Sequence, residues 1–178
     1  MKPNIYNLFK FLEEKENRPI PLKAKLLHAP ETLTPEDLDV KGDLDLSDTP
    51  ITSLPEDLKV ERSLHLENCE ALESLPKGLE VGRSIYLGNC KALKILPEGL
   101  DVKGDLSLGS CKALKSLPEG LKVGGYLYLN NCTKLTSLPK GLKVEGDLHL
   151  NNTSLAEKSD KELLEMVKPG HIKGTIYK

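Results

Sequence analysis

At 178 residues the chain is long enough to bury a core as one domain, without disulfides or metals to staple it. Lys+Arg 25 against Asp+Glu 27 leaves a net charge of -2, a balance that excludes an overall pull towards nucleic acid. No apolar run approaches the ~18 residues of a membrane span and the first residues carry no small-residue cleavage site, so the expected setting is cytoplasmic, with no membrane partner. Secretion without a cleaved leader would leave no such mark.

Residues 1–32 are expected to form an N-terminal helical cap and lead-in: Ile5, Leu8, Phe9 and Leu12 recur at i, i+3, i+4 and i+7, and Pro3 suits a first helical turn. Residues 33–155 hold six copies of one unit, marked by Pro35, Pro55, Pro76, Pro97, Pro118 and Pro139, which are separated by 20 residues and then four times by 21. The stretch "LPEGLKVGGYLYLNNCTKLTS", Leu117 to Ser137, shows its form. The L-x-L alternation predicts a short strand with both leucines on one face. The L-P phase, with glycine two residues after the proline, predicts an extended turn that ends at positive φ; Asp37 and Asp57 stand there in the first two units and are acceptable in a left-handed turn. Thr49 and Thr153 replace the cysteine of the other units in a phrase one residue shorter, which accounts for the single 20-residue interval. Residues 156–178 are expected to form a helix and a closing strand. Ser159 with Glu162 reads as a capping box, Pro169-Gly170 as the stop, and Ile172, Gly174 and Ile176 repeat the phase of Val40, Gly42 and Leu44.

The phrase L-x-L-x-x-C-x-x-L-x-x-L-P resembles the leucine-rich repeat, with cysteine where many members carry asparagine, over about two thirds of the chain. The L-P phase also looks like the LPX-type secreted bacterial effectors, and "LPxGLxVxGxLxL" is nearer to bacterial and bacteriophage repeat proteins. The resemblance implies a leucine-rich-repeat solenoid: a parallel β-sheet on the concave side, an extended or turn-like convex side without regular helices, and short helical caps at both ends. Strands stack at ~4.8 Å whereas helices need about 8 to 10 Å, so a helix-free outer side predicts a shallow arc.

In that register Cys69, Cys90, Cys111 and Cys132 form a line, Cys69 lying roughly 14 Å from Cys132. A tetrahedral zinc ion needs every sulfur at about 2.3 Å, so one site of four thiolates is excluded. Parallel side chains in register suit a disulfide poorly, and an inward column gives no accessible thiolate. Packing is the expected role. The outward residue between the leucines is Asp45, His65, Tyr86, Ser107, Tyr128 and His149, then Tyr177; the one before them is Asp43, Ser63, Ser84, Asp105, Tyr126 and Asp147, then Thr175. Four of five tyrosines thus share one face, where large contact area and small entropic cost favour binding. His65 beside Asp45 is the one arrangement like a base with its orienting carboxylate. His149 lies roughly 19 Å from His65, and an open sheet has no water-excluded pocket. Lys91, Lys94, Lys112, Lys115 and Lys134 share a phase and read as a solvated strip, while Asn68, Asn89, Asn131 and Asn152 serve a strand-end turn.

The expected function is a noncatalytic, monomeric protein-protein interaction module without cofactor or metal. Its concave face would offer His65, Tyr86, Tyr126, Tyr128, His149, Asp45, Asp105, Asp147 and Tyr177 to a protein or peptide. Two alternatives are a repeat-only effector acting inside a host cell and a structural protein that joins end to end through Phe11 or the terminal strand.

Overall fold

The structure, a computed structural model, describes residues 11, 14, 15 and 20–178. The stripe Ile5, Leu8, Phe9 and Leu12 lies outside the described residues; Phe11 is helical and exposed. The L-x-L phrases form seven two-residue strands: Leu44–Asp45, Leu64–His65, Ile85–Tyr86, Leu106–Ser107, Leu127–Tyr128, Leu148–His149 and Ile176–Tyr177. They pair in chain order as one parallel sheet. Leu44 sits opposite Leu64, Leu64 opposite Ile85, and so on to Leu148 opposite Ile176, so each unit is one turn of a β-solenoid. Parallel neighbours need a long crossover, and the remainder of the unit supplies it.

That crossover is extended and free of regular helices, as expected, and it also carries short strands of its own. The L-x-V phrase is a second ladder of two-residue parallel strands: Asp39–Val40, Lys59–Val60 and Glu80–Val81 in one sheet, then Asp101–Val102, Lys122–Val123, Lys143–Val144 and His171–Ile172 in another. Leucine and valine flank one exposed residue there, as in Leu58-Lys59-Val60, so three residues suffice to alternate. At all junctions but one both sides of successive turns are therefore spaced by strand hydrogen bonds, with no helix among them to spread one side. The ladder is interrupted between Val81 and Asp101, where Leu79 is only partly buried and an isolated bridge joins Ser74 to Ile95.

Leucines, valines and cysteines from every phrase point inward and make one continuous core, with Leu58, Leu64, Leu66, Cys69 and Leu72 fully buried in a single turn. Two corners per turn let the chain reverse. At one, Gly78, Gly99, Gly120 and Gly141 have φ from 67° to 76°, and Asp57 takes 60°. Asp37 departs from the expectation, because it has no positive φ. Its carboxylate instead accepts the Thr34 N–H at 2.9 Å and the Lys25 ammonium at 2.9 Å, tying the lead-in to the first unit. At the other corner Asp48, Asn68, Asn89, Ser110, Asn131 and Asn152 lie between 59° and 65°, the strand-end role expected of the asparagines. Their side chains also link rungs, as where the Asn89 amide donates to Asn68 at 2.9 Å and Asn152 to Asn131 at 3.0 Å.

The ends are closed by short helices. Leu22–His28, just after Pro21, covers the first turn with buried Leu26. Asp160–Val167 begins with the expected capping box: Ser159 Oγ accepts the Glu162 N–H at 3.3 Å while the Glu162 carboxylate accepts the Ser159 N–H at 2.8 Å. Leu163 and Val167 bury its inner face. Ile172 then pairs with Val144 and Ile176 with Leu148, completing the seventh rung in the phase foreseen.

Candidate interaction face

The pleat turns one column of the seven-stranded sheet outward, and this column is largely aromatic. His65 stacks on Tyr86 with ring centroids 4.8 Å apart. Tyr128 stacks on His149 at 4.6 Å, and His149 on Tyr177 at 4.7 Å. Tyr126 meets Tyr128 edge to face at 6.1 Å. The rung spacing of ~4.8 Å is itself a stacking distance, so backbone pairing brings rings of adjacent turns into register. Six of the expected contact residues, His65, Tyr86, Tyr126, Tyr128, His149 and Tyr177, are thus joined into two clusters, with Ser107 between them. Sequence alternation placed these residues on one face; it did not show that the rings stack.

The expected carboxylates have structural tasks as well. Asp43 accepts the Ser63 N–H at 2.9 Å, Asp105 the Tyr126 N–H at 2.7 Å and Asp147 the Thr175 N–H at 2.8 Å, each a donor on the following rung. Ser84 Oγ does the same for Asp105 N–H at 2.9 Å. Asp45 turns within its own strand to accept the Ser47 N–H at 2.9 Å, which holds its carboxyl below the usual range. These residues keep negative charge on the face while capping backbone groups that the short strands leave over. Partial burial, then the charges of Asp105 and Asp147 among its neighbours, raises the Tyr128 phenol.

His65 and Asp45 do occupy partner positions on adjacent rungs. The carboxylate nearest the His65 ring is however Glu67, with Nδ1 to Oε2 3.7 Å, and the imidazole lies flat against Tyr86. Among the described residues no group of three or more His, Cys, Asp and Glu side chains could hold a metal ion.

All four cysteines are free and fully buried, in the inward column expected of them. They do more than fill space. Each thiol donates to a main-chain carbonyl of the preceding turn: Cys69 to Leu46 at 3.2 Å, and Cys90 to Leu66, Cys111 to Leu87 and Cys132 to Leu108, each at 3.1 Å. Thr49 and Thr153 donate instead to carbonyls three residues back, Leu46 at 2.6 Å and Leu150 at 2.7 Å. Burial pushes the Cys69 thiol up and takes Cys132 to about 11.

On the flank, Lys91 pairs with Glu70 and Lys94 with Glu73 at 2.8 Å, each reaching back one turn, so the lysine column begins as inter-rung ion pairs. No helix of the described residues is long and apolar enough to cross a membrane. Comparison with family models, curated proteins and solved structures gives no match to this chain.

Proposed function

We propose that this β-solenoid is a noncatalytic interaction module of leucine-rich-repeat type that works in the cytoplasm and binds a protein or peptide on the outward face of its seven-stranded sheet. The observation that carries the reading is the aromatic column. His65, Tyr86, Tyr128, His149 and Tyr177 present ring surface that neighbouring rings and the backbone ladder already hold in place. Such rings lose little freedom when a partner covers them, which is what makes tyrosine effective at interfaces.

The test begins with affinity purification from the producing organism, followed by amide exchange mapping of the purified pair. Protection concentrated on residues 84–87, 126–129 and 148–150, with binding lost when Tyr86, Tyr126 and Tyr128 are replaced together by alanine and the domain still melts cooperatively, supports the reading. Protection confined to the L-x-V ladder or the lysine flank would put the interface elsewhere.

A further inference from the structure

We propose that the interruption of the aromatic column at Ser107 is a slot for one aromatic side chain of a bound peptide, flanked in that peptide by basic residues. The proposal rests on the interaction reading above and names what its site would recognise. Ile85 pairs with Leu106 and Leu106 with Leu127, so Tyr86 and Tyr128 stand two rungs apart with Ser107 between them. Each of the two rings has a stacking partner on its far side, His65 for Tyr86 and His149 for Tyr128, and no stacked ring on its near side among the described residues. Two rungs span roughly 9.6 Å, so a ring entering midway lies about 4.8 Å from each neighbour. That matches the 4.6 to 4.8 Å already found along the column.

The floor of the slot is bare without a packing reason. Ser107 is half-exposed and its hydroxyl has no hydrogen-bond partner among the described residues. Next to it, Gly88 and Gly109 have ordinary φ, and a Cβ added at either would meet nothing closer than 3.9 Å and 3.7 Å respectively. Larger residues would fit at these positions, as Glu67 and Asn130 do in the same column. The charge of the face selects the rest of the ligand. Its outward columns carry Asp105 on the same rung as Ser107 and Glu67 and Asp147 two rungs away on either side, with Asp43 and Asp45 three rungs off and Asp43 within 3.8 Å of Arg62. Cations beside the inserted ring would therefore meet carboxylates.

The chain contains no tryptophan, so indole emission reports on an added peptide alone. The probe is the pentapeptide Lys-Lys-Trp-Lys-Lys with blocked ends, compared by competition with its leucine analogue. The unaltered protein should bind the tryptophan peptide more tightly than the leucine one. Ser107→Tyr, which fills the slot with a ring of its own, should weaken binding at least about tenfold, because two stacked contacts are lost. Ser107→Ala should change it less than about twofold. Ser107→Leu is a second filling variant should the tyrosine disturb folding. Equal affinity for the two peptides, no measurable binding by the unaltered protein, or unchanged binding by both filling variants would each overturn the slot. If the filling variants bind normally while Tyr86→Ala and Tyr128→Ala weaken binding, the slot falls and the wider face stands. Exchange protection away from the seven-stranded sheet in the purified complex would remove the wider reading.

Discussion

Replacing Cys111 by alanine tests whether the thiol column holds turns together. Cys111 is fully buried and its sulfur donates to the Leu87 carbonyl at 3.1 Å. Removing a group about the size of a methylene from a dry interior costs about 1 kcal/mol. The seven-stranded sheet, in which Ile85 pairs with Leu106, fixes the distance between these two turns, so the space left by sulfur does not collapse, and the cavity adds about 1 kcal/mol. The Leu87 carbonyl still accepts the Cys90 N–H at 3.2 Å, so it is not orphaned. Loss of the weak thiol donor therefore adds only about 0.5 kcal/mol. The expected total is about 2.5 kcal/mol, read as a lower urea midpoint at unchanged slope. Cys111→Thr should cost about 1 kcal/mol or less, since threonine can donate within its own turn as Thr49 and Thr153 do. A Cys111→Ala midpoint within about 0.5 kcal/mol of the unaltered protein, alongside a costly Leu114→Ala, would refute the argument.

In the native state all four thiols should label slowly with an alkylating reagent, at a rate that follows unfolding, because each is fully buried and Cys132 is held near about 11; fast labelling of Cys90 at neutral pH would place the column, and the aromatic face with it, in the wrong register. Gly99 has φ 76° and open space where a Cβ would stand, so Gly99→Ala should lower stability by about 1 kcal/mol for conformational reasons alone, and a neutral result in a thermal melt would contradict the left-handed corner. Hydrogen bonds from Lys173 and His171 hold the Glu145 carboxyl below the ordinary glutamate range. A depressed carboxyl contributes above its unfolded pKa of about 4.3 and loses that contribution as pH falls through the folded value, so amide protection of Lys173 and Gly174 should fall in that acid window. Glu145→Gln should abolish the pH dependence; its persistence would assign the acid effect to another group.

Much of this architecture is legible in the spacing of a few residues. Prolines at intervals of 21 set the turn length, leucines around one outward residue set the sheet, and Ile172 with Ile176 repeats the phase that marks the last rung. The second ladder was harder to see because its alternation lasts three residues and adjoins glycines, so it looks like a turn until neighbouring copies are stacked. Asp37 illustrates another limit. Its position in the repeat matches a left-handed glycine, but among the described residues no rung precedes the first unit, and Lys25 with Thr34 captures its carboxylate. At the face, alternation located Tyr86 and Tyr128, whereas the caps made by Asp105 and Asp147 depend on contacts between turns that a single unit does not contain. The cysteines combine both cases: burial follows from their phase, while donation to the preceding turn follows only from stacking.

The equal pitch of successive units makes the outer surface editable in whole turns. Excising residues 97–117, one 21-residue period that contains Ser107, would leave Leu96 followed by Pro118, a junction the unit already uses. Every inward column would keep its order, and Ile85-Tyr86 would acquire Leu127-Tyr128 as its neighbour. His65, Tyr86, Tyr128, His149 and Tyr177 would then run as one unbroken stack, shorter in the protein but longer in aromatic continuity. Gain or loss of a single period can thus alter what this surface offers without any point substitution, while each inward column keeps its residue types and only its length changes.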